Sequence, residues 1–499
     1  MTCVYYSTWK IESMSQLKRR DNNPKIDRTI IVSNRLPIVL TKGDEGEWQI
    51  QPGSGGLVTA LAPVLRDRGG LWIGWPGTLE DVDLDELLAI GSKSAGYTLK
   101  PVMLTAEEVN QYYFGFSNEI LWPLFHSLQS RCNFDPAYWS TYQAVNRKFA
   151  QVIAENARAN DYIWVHDYHL MLVAKELRAI GVECKVGFFL HIPFPPRDIF
   201  AILPWRSQIL EALSEYDLVS FQTMRDRNHF IHYVEGLIKG LHVDARRQVC
   251  TIATPQREIR VGAFPISIDF KEFARQAASK TVSQRARQLR EAIADRQIIL
   301  GVDRLDYSKG IPERLRSFRN ALERFDDLRG KVVLVQIVVP SREDVPEYQA
   351  LKAEIEGLVG EINGKFSQPG WIPIHYMFRS LEQAELLAYY RAADIALITP
   401  LKDGMNLIAK EYCAANIDRN GVLVLSEFAG AATQMRRSAL VVNPYDIEGV
   451  ANAIYQAYSM STNERQSRMR RLRESVAKRD IFWWADFCLW AATTQNLDD

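Results

Sequence analysis

The 499-residue chain lacks any Cys-x-x-Cys pair, and its six cysteines (Cys3, Cys132, Cys184, Cys250, Cys413 and Cys488) are scattered. That spacing argues against a zinc site or a disulfide framework and favours reduced thiols in a cytosolic protein. It also lacks an excess of either charge, with 60 Lys+Arg against 60 Asp+Glu. A net charge of zero predicts neither a nucleic-acid groove nor attachment to an anionic membrane surface. No apolar run approaches the ~20 residues needed to span a bilayer. Residues 1–28 are polar and irregular and have no signal-peptide core, so they read as a tail, with Met14 an alternative start. There is no internal repeat and no low-complexity tract. A chain of this length is expected to hold two or more domains.

What is present is alternation. Apolar strand-like runs occur at Thr29–Ser33, Leu71–Trp75, Tyr162–Val165, Val186–His191, Leu218–Gln222 and Ile259–Ala263. A second set follows at Ile298–Val302, Val332–Val338, Ile374–Phe378, Asp394–Thr399, Val422–Ser426 and Leu440–Val442. Amphipathic helical patterns fill the gaps, among them Tyr168–Ile180, Pro312–Phe325, Tyr348–Ile362 and Leu381–Ala393. Such alternation predicts an α/β protein with parallel sheets covered on both faces. Two groups of strands predict two Rossmann-like domains, joined near Pro265–Phe270.

The most informative stretch, Thr399 to Glu411, reads Thr-Pro-Leu-Lys-Asp-Gly-Met-Asn-Leu-Ile-Ala-Lys-Glu. The strand before it breaks at Pro400, turns at Asp403-Gly404 and enters a helix near Asn406. A flexible glycine at a helix mouth leaves backbone N–H groups free, and the helix dipole adds partial positive charge. Phosphate or diphosphate suits such a mouth. Asp403 would repel phosphate but could grip sugar hydroxyls beside it, and Glu411 is within reach of a ribose. The plainer alternative makes Asp403 a helix-start residue and Glu411 a solvated surface charge.

A second strand-to-helix loop, Asp303-Arg304-Leu305-Asp306-Tyr307-Ser308-Lys309-Gly310, carries two cations. Such loops lie at the carboxyl ends of parallel strands, where open α/β sheets bind ligands. Arg304 and Lys309 would hold a diphosphate and neutralise it as it leaves; the alternative is surface ion pairs with Asp303 or Asp306. The first strand ends in Ser33-Asn34-Arg35-Leu36-Pro37, and Gly53-Ser54-Gly55-Gly56-Leu57 opens a helix. This is not Gly-x-Gly-x-x-Gly, so a nicotinamide-dependent oxidoreductase lacks its fingerprint. The glycines either let backbone close over a sugar or phosphate or pack a helix tightly.

These segments together resemble the trehalose-6-phosphate synthases. The resemblance also rests on Tyr112-Tyr113 through Leu121-Trp122-Pro123, on Trp164-Val165-His166-Asp167-Tyr168-His169-Leu170, and on Gly187 through Pro195. It runs in order from about Thr29 to about Trp490. It implies a retaining glucosyltransferase of the GT-B type, with two Rossmann-like domains facing across a cleft and neither metal nor cofactor. Glucose would move from a nucleotide-glucose to glucose 6-phosphate. The implied division is a tail (1–28), an acceptor domain (29–268), a nucleotide-sugar domain (269–478) and a helix crossing back onto the first domain (479–499), for which Phe482–Trp490 is suited.

The resemblance also implies roles. Arg304, Lys309, Asp403 and His191 fall at the reacting centre, and Gly55, Gly56, Gly404, Met405, Asn406, Leu407 and Glu411 around the donor. Arg35, Tyr113, Trp122, Asp167 and Arg342 fall around the acceptor, where two guanidinium forks could hold a phosphate bidentately and Tyr113 and Trp122 could each donate one hydrogen bond. Without the resemblance, Tyr113 and Trp122 read as core aromatics and His191 as a structural hydrogen-bonder. The expected partners are small molecules, with a homo-oligomer left open. Met377-Phe378-Arg379-Ser380 departs from the family near the nucleotide base, which leaves UDP, ADP and GDP open. Glucosylglycerol-phosphate synthase is the nearest rival. A silent sugar-phosphate sensor is the other, although such proteins usually lose a donor-site cation or carboxylate, and Arg304, Lys309, Asp403 and Glu411 are all present.

Overall fold

The computed structural model describes residues 26–494, except 43–46, 54–55, 81–83, 238–242, 244–246, 254–256, 294–295 and 343–344. Gly55 and residues 1–25 of the expected tail lie outside the described residues. The first half of the chain carries β1 (Arg28–Arg35), β2 (Ile38–Lys42), β3 (Trp48–Pro52), β4 (Leu71–Trp75), β5 (Thr98–Pro101) and β6 (Asp161–His166). It continues with β7 (Lys185–Phe189), β8 (Leu218–Phe221), β9 (Val249–Ala253) and β10 (Glu258–Ala263). Eight of these form one sheet in the order β5-β4-β1-β6-β7-β8-β10-β9, parallel except for the β9 edge; β2 and β3 pair as a separate hairpin. The second half carries β11 (Gln297–Arg304), β12 (Val332–Val339), β13 (Ile374–Phe378), β14 (Ile395–Ile398), β15 (Val422–Ser426) and β16 (Leu440–Val442). These form an all-parallel sheet in the order β13-β12-β11-β14-β15-β16.

The central strands are apolar along their whole length because helices cover both faces. β12 reads Val-Val-Leu-Val-Gln-Ile-Val-Val and is buried in all but its last residue. All twelve expected strands are present. The four that periodicity missed, β2, β3, β5 and β9, are hairpin or edge strands; β5 and β9 bury only alternate or scattered residues, so no continuous apolar run marks them. Two expected elements differ. β7 stops at Phe189, leaving His191 beyond the strand. Tyr168–Ile180 is a short 3-10 turn (Tyr168–Leu170) followed by a helix (Val173–Ala179). The Tyr142 hydroxyl and the Asn146 amide donate to the carbonyls of Tyr168 (2.7 Å) and His169 (3.1 Å), drawing both away from a helical ladder.

In each sheet the chain starts at an inner strand, builds outward on one side, then returns and builds on the other. The reversals lie between β1 and β6 and between β11 and β14. Beyond the carboxyl ends of strands at such a switch point lies the crevice where open α/β sheets take ligands. The loops there begin at Arg35 and Asp167 in the first sheet and at Arg304 and Thr399 in the second.

The chain passes between the sheets through residues 264–269 and returns at its end. Helix Ile481–Thr493, capped by Asp480, lies against the first sheet. Trp484, fully buried, stacks on Trp164 with centroids 4.9 Å apart and donates its indole N–H to the Phe264 carbonyl at 3.1 Å. Arg260 of β10 donates to the Ala491 carbonyl at 2.7 Å. No helix among the described residues is long and apolar enough to cross a membrane. Trp484→Ala is expected to destabilise the protein by about 3–5 kcal/mol, the scale for emptying a large core site. A lowered urea midpoint by circular dichroism checks this, and an unchanged midpoint contradicts it.

Candidate active site

The two second-sheet loops meet at one ion pair. Lys309 Nζ lies 2.7 Å from Asp403 Oδ2, both side chains nearly buried. Asp403 also accepts from the Asn406 amide (3.3 Å) and the Met405 N–H (3.4 Å). Burial works to raise the Asp403 carboxyl, but Lys309 and Asn406 outweigh it and hold it below the usual carboxylate range. Lys309 pairs with Asp403 rather than with Asp303 or Asp306, and Asp403 does not cap the helix. The cap is Asn406, in the left-handed region at φ 74°, whose side chain accepts from Ala409 N–H. The helix it opens, Leu407–Ala415, points its free N–H groups at the ion pair. Glu411, expected on the plainer reading to be a solvated charge, is buried enough to be pushed up to about 7 and accepts from the Tyr390 hydroxyl at 2.9 Å. Arg304 is exposed at the rim, and its charge is felt at Asp167 and Asp306.

The aromatic residues come from an element the sequence did not betray, a π-helix spanning Val109–Leu121 that runs directly into helix Trp122–Phe125. π-turns cluster at functional sites, and this one presents Tyr113 and Trp122. Tyr113 stacks on His169 at 5.9 Å. Trp122 is buried, and its indole N–H has no partner among the described residues. The Arg342 guanidinium, from the other sheet, sits 5.2 Å above the Trp122 ring and donates to the Tyr348 hydroxyl. Arg342 itself is held at φ 52°. Arg35 is exposed and lies 4.8 Å above the ring of Trp75. A Cβ at Gly77 would collide with its guanidinium. Arg342, Trp122 and Tyr113 are thus brought together, and Arg35, on the β1–β4 side, is close enough to Tyr113 for the two to interact electrostatically.

Asp167 and His191 follow β6 and β7. Asp167, at φ 75°, accepts from the His191 N–H at 3.2 Å. Burial pushes its carboxyl up to about 7 against the hydrogen bonds and Arg304. His191 places Nε2 3.0 Å from His166 Nδ1 and Nδ1 3.4 Å from the Gln222 amide. Burial lowers His191 to about 3, so both rings of this pair are neutral. His191 meets the opposite loop through its backbone: a Cβ on Gly404 would collide with the His191 carbonyl. Likewise a Cβ on Gly56 would stand 3.0 Å from Leu407. Gly404 is therefore required by close approach between the two halves of the chain, whereas a methyl group at 56 would meet only the movable end of the Leu407 side chain. Further bridges are Lys402 Nζ to Ser127 Oγ at 2.6 Å and Arg131 over the Tyr307 ring at 4.8 Å.

Sequence reasoning missed Trp75, Tyr348, Gln222 and the buried Arg314. Trp75 ends the strand beside β1, so the strand-end rule would have reached it. Arg314 is 1% exposed and donates to Asp303 (2.6 Å), Thr399 (3.1 Å) and the Lys309 carbonyl (3.4 Å), tying the loops after β11 and β14 together. No local pattern marks it. Among the described residues, no group of three or more His, Cys, Asp or Glu is arranged to hold a metal ion.

Comparison with known proteins gives this cleft a class. The profile of glycosyltransferase family 20 matches residues 27–493. The chain is 43% identical over 461 residues to the trehalose-6-phosphate synthase of Mycolicibacterium vanbaalenii, covering 91% of this chain and 94% of that one. It is 44% identical over 466 residues to that of Mycobacterium leprae, covering 91% and 92%. The structure is similar to an alpha,alpha-trehalose-phosphate synthase (UDP-forming) from Burkholderia xenovorans in complex with glucose-6-phosphate, with TM-score 0.83 and 36% identity over 93% of this chain and 99% of that one. It is also similar to the E. coli protein bound with UDP-2-fluoro glucose, with TM-score 0.82 and 37% identity over 94% and 100%. Fold and cleft thus define an enzyme, a two-domain glycosyltransferase. The chain belongs to glycosyltransferase family 20.

The raised Asp167 and Glu411 carboxyls predict an acid limb. Below about 7 both carboxylates are lost, so kcat/KM should fall for acceptor and donor alike. Asp167→Asn should remove the limb from the acceptor profile, apart from the titration of a substrate phosphate near ~6, and leave it in the donor profile. Wild-type profiles that stay flat through this range would contradict the assignment.

Proposed function

We propose that the enzyme transfers glucose, with retention, from UDP-glucose to glucose 6-phosphate and so forms alpha,alpha-trehalose 6-phosphate. The observation that carries this reading is the pairing of two anion sites across one cleft. On one side, Lys309, Arg304 and the free N–H groups of helix Leu407–Ala415 suit a diphosphate. On the other, Arg342, the unpartnered Trp122 indole, Tyr113 and Arg35 suit a phosphate monoester. The names of the relatives and the ligands of the two solved neighbours point the same way. In this reading residues 29–268 form the acceptor domain and 269–478 the nucleotide-sugar domain, and helix Ile481–Thr493 closes back onto the first.

Retention requires either a carboxylate nucleophile or attack on the face from which the diphosphate leaves. Asp403 is a poor nucleophile, since its oxygens are already bonded to Lys309, Asn406 and the Met405 N–H. It positions the glucose instead. The bond from the anomeric carbon to the phosphate oxygen breaks as the bond to the acceptor's anomeric oxygen forms. The acceptor proton passes to the departing phosphate oxygen. Arg304, Lys309 and the Gly404–Leu407 backbone stabilise the charge that develops there, Glu411 holds the ribose, and Gly56 closes over the donor. Asp167 holds acceptor hydroxyls. His191 is neutral, so it hydrogen-bonds rather than donating a proton. Catalysis is then orientation and electrostatic preorganisation, with water excluded by the facing domains.

The test crosses UDP-, ADP- and GDP-glucose with glucose 6-phosphate, glycerol 3-phosphate and free glucose, and identifies the products. The expected outcome is alpha,alpha-trehalose 6-phosphate from UDP-glucose and glucose 6-phosphate. Free glucose should be a very poor acceptor, because it offers no anion to Arg342 and Arg35. Free glucose as good as glucose 6-phosphate, or a product only with glycerol 3-phosphate, would overturn the substrate assignment.

A further inference from the structure

The segment joining the two domains, residues 264–269, is buried and held by side chains from both. At its centre is Ile266, 2% exposed. Its N–H donates to Gln222 Oε1 at 3.0 Å, and its carbonyl accepts from Lys410 Nζ at 2.7 Å. Gln222 belongs to the first domain, just beyond β8, and its amide nitrogen lies 3.4 Å from His191 Nδ1. Lys410 belongs to the second domain, in the helix whose N-terminus faces the Lys309–Asp403 pair, and it immediately precedes Glu411. Both polar groups of one linker residue are thus taken, one by each domain.

Lys410 is an expensive residue to place here. It is fully buried and its ammonium is bonded to a neutral carbonyl, while burial lowers it to about 7. A methionine would fill similar space without desolvating an amine. Gln222 is also nearly fully buried. Around them, the linker is fixed on its outer side by the Trp484 indole on the Phe264 carbonyl and by the Ile481 N–H on the Ile268 carbonyl at 3.0 Å. The linker is therefore held from both domains and by the C-terminal helix.

We infer that Gln222 and Lys410 are positioning residues that clamp Ile266 from opposite domains and so set His191 against the donor helix in the closed cleft. The inference rests on the glucosyl-transfer reading. A change of backbone torsion at Ile266 swings its carbonyl relative to its N–H, since the two lie in successive peptide planes. Through Gln222 that motion reaches His191, and through Lys410 it reaches Glu411 and the mouth of the donor helix. Neither residue touches substrate; each acts on the distance between groups that do.

The experiment compares wild type with Lys410→Met, Gln222→Met and the double variant. It measures kcat and KM with UDP-glucose and glucose 6-phosphate, UDP affinity by calorimetry, and melting temperature. Each single variant should lower kcat about tenfold or more, the scale of a small misplacement of reacting groups. UDP affinity should stay within about twofold of wild type, since the diphosphate site lies within one domain. The double variant should lose little more than the worse single one, because both act through one residue, whereas independent packing defects would multiply. Unchanged kcat in the single variants, multiplying losses, or a loss that simply follows a fall in melting temperature would overturn the clamp. If Lys410→Met does not fold, Gln222→Met alone decides: lowered kcat at wild-type melting temperature supports the clamp and wild-type kcat overturns it. A wild-type enzyme with no turnover would overturn the glucosyl-transfer reading, and the clamp with it.

Discussion

The cleft depends on how closely Gly404 comes to His191. No side chain separates them, and any Cβ at position 404 would run into the His191 carbonyl. That contact puts the loop after β14 against the loop after β7 and so aligns the ligand edges of two parallel sheets. The other contacts across the cleft, Gly56 on Leu407, Arg342 on Trp122 and Lys402 on Ser127, fit the same spacing. A methyl group at 404 would open all of them.

Charge is concentrated where the sheets meet, and it is arranged rather than merely neutralised. Lys309 and Asp403 are partly withdrawn from water, so their attraction is strong but is offset by the loss of hydration. A pair of this kind is weak evidence of stability. It is better understood as holding a cation and a carboxylate in fixed places before any ligand arrives, which is what electrostatic preorganisation requires. The buried Arg314–Asp303 pair beneath it serves that end, since the same guanidinium bonds Thr399 and the Lys309 carbonyl.

Much of this was legible in the chain. Apolar runs marked every central strand, and glycines and charges marked the loops after β11 and β14 that meet at the Lys309–Asp403 pair. The physical reasons sometimes differed. Gly404 is needed for close approach between domains, and the left-handed turn at the helix mouth is made by Asn406. The π-helix at Val109–Leu121 could not be read, because its apolar spacing resembles that of a buried α-helix. Edge strands such as β5 carry too few apolar residues to stand out. Tertiary links such as Ile266 with Gln222 and Lys410 join residues 44 and 144 positions apart and leave no local pattern.

The central claim is that a phosphorylated acceptor is gripped by groups from both domains, Arg342 from the second and Trp122, Tyr113 and Arg35 from the first. The most direct measurement is the acceptor KM of Arg342→Lys, which keeps the charge but loses the planar fork. The account predicts a KM for glucose 6-phosphate raised about tenfold or more, the scale of one charge-assisted hydrogen bond, with UDP affinity unchanged. A wild-type acceptor KM in that variant, or a loss confined to donor binding, would contradict it.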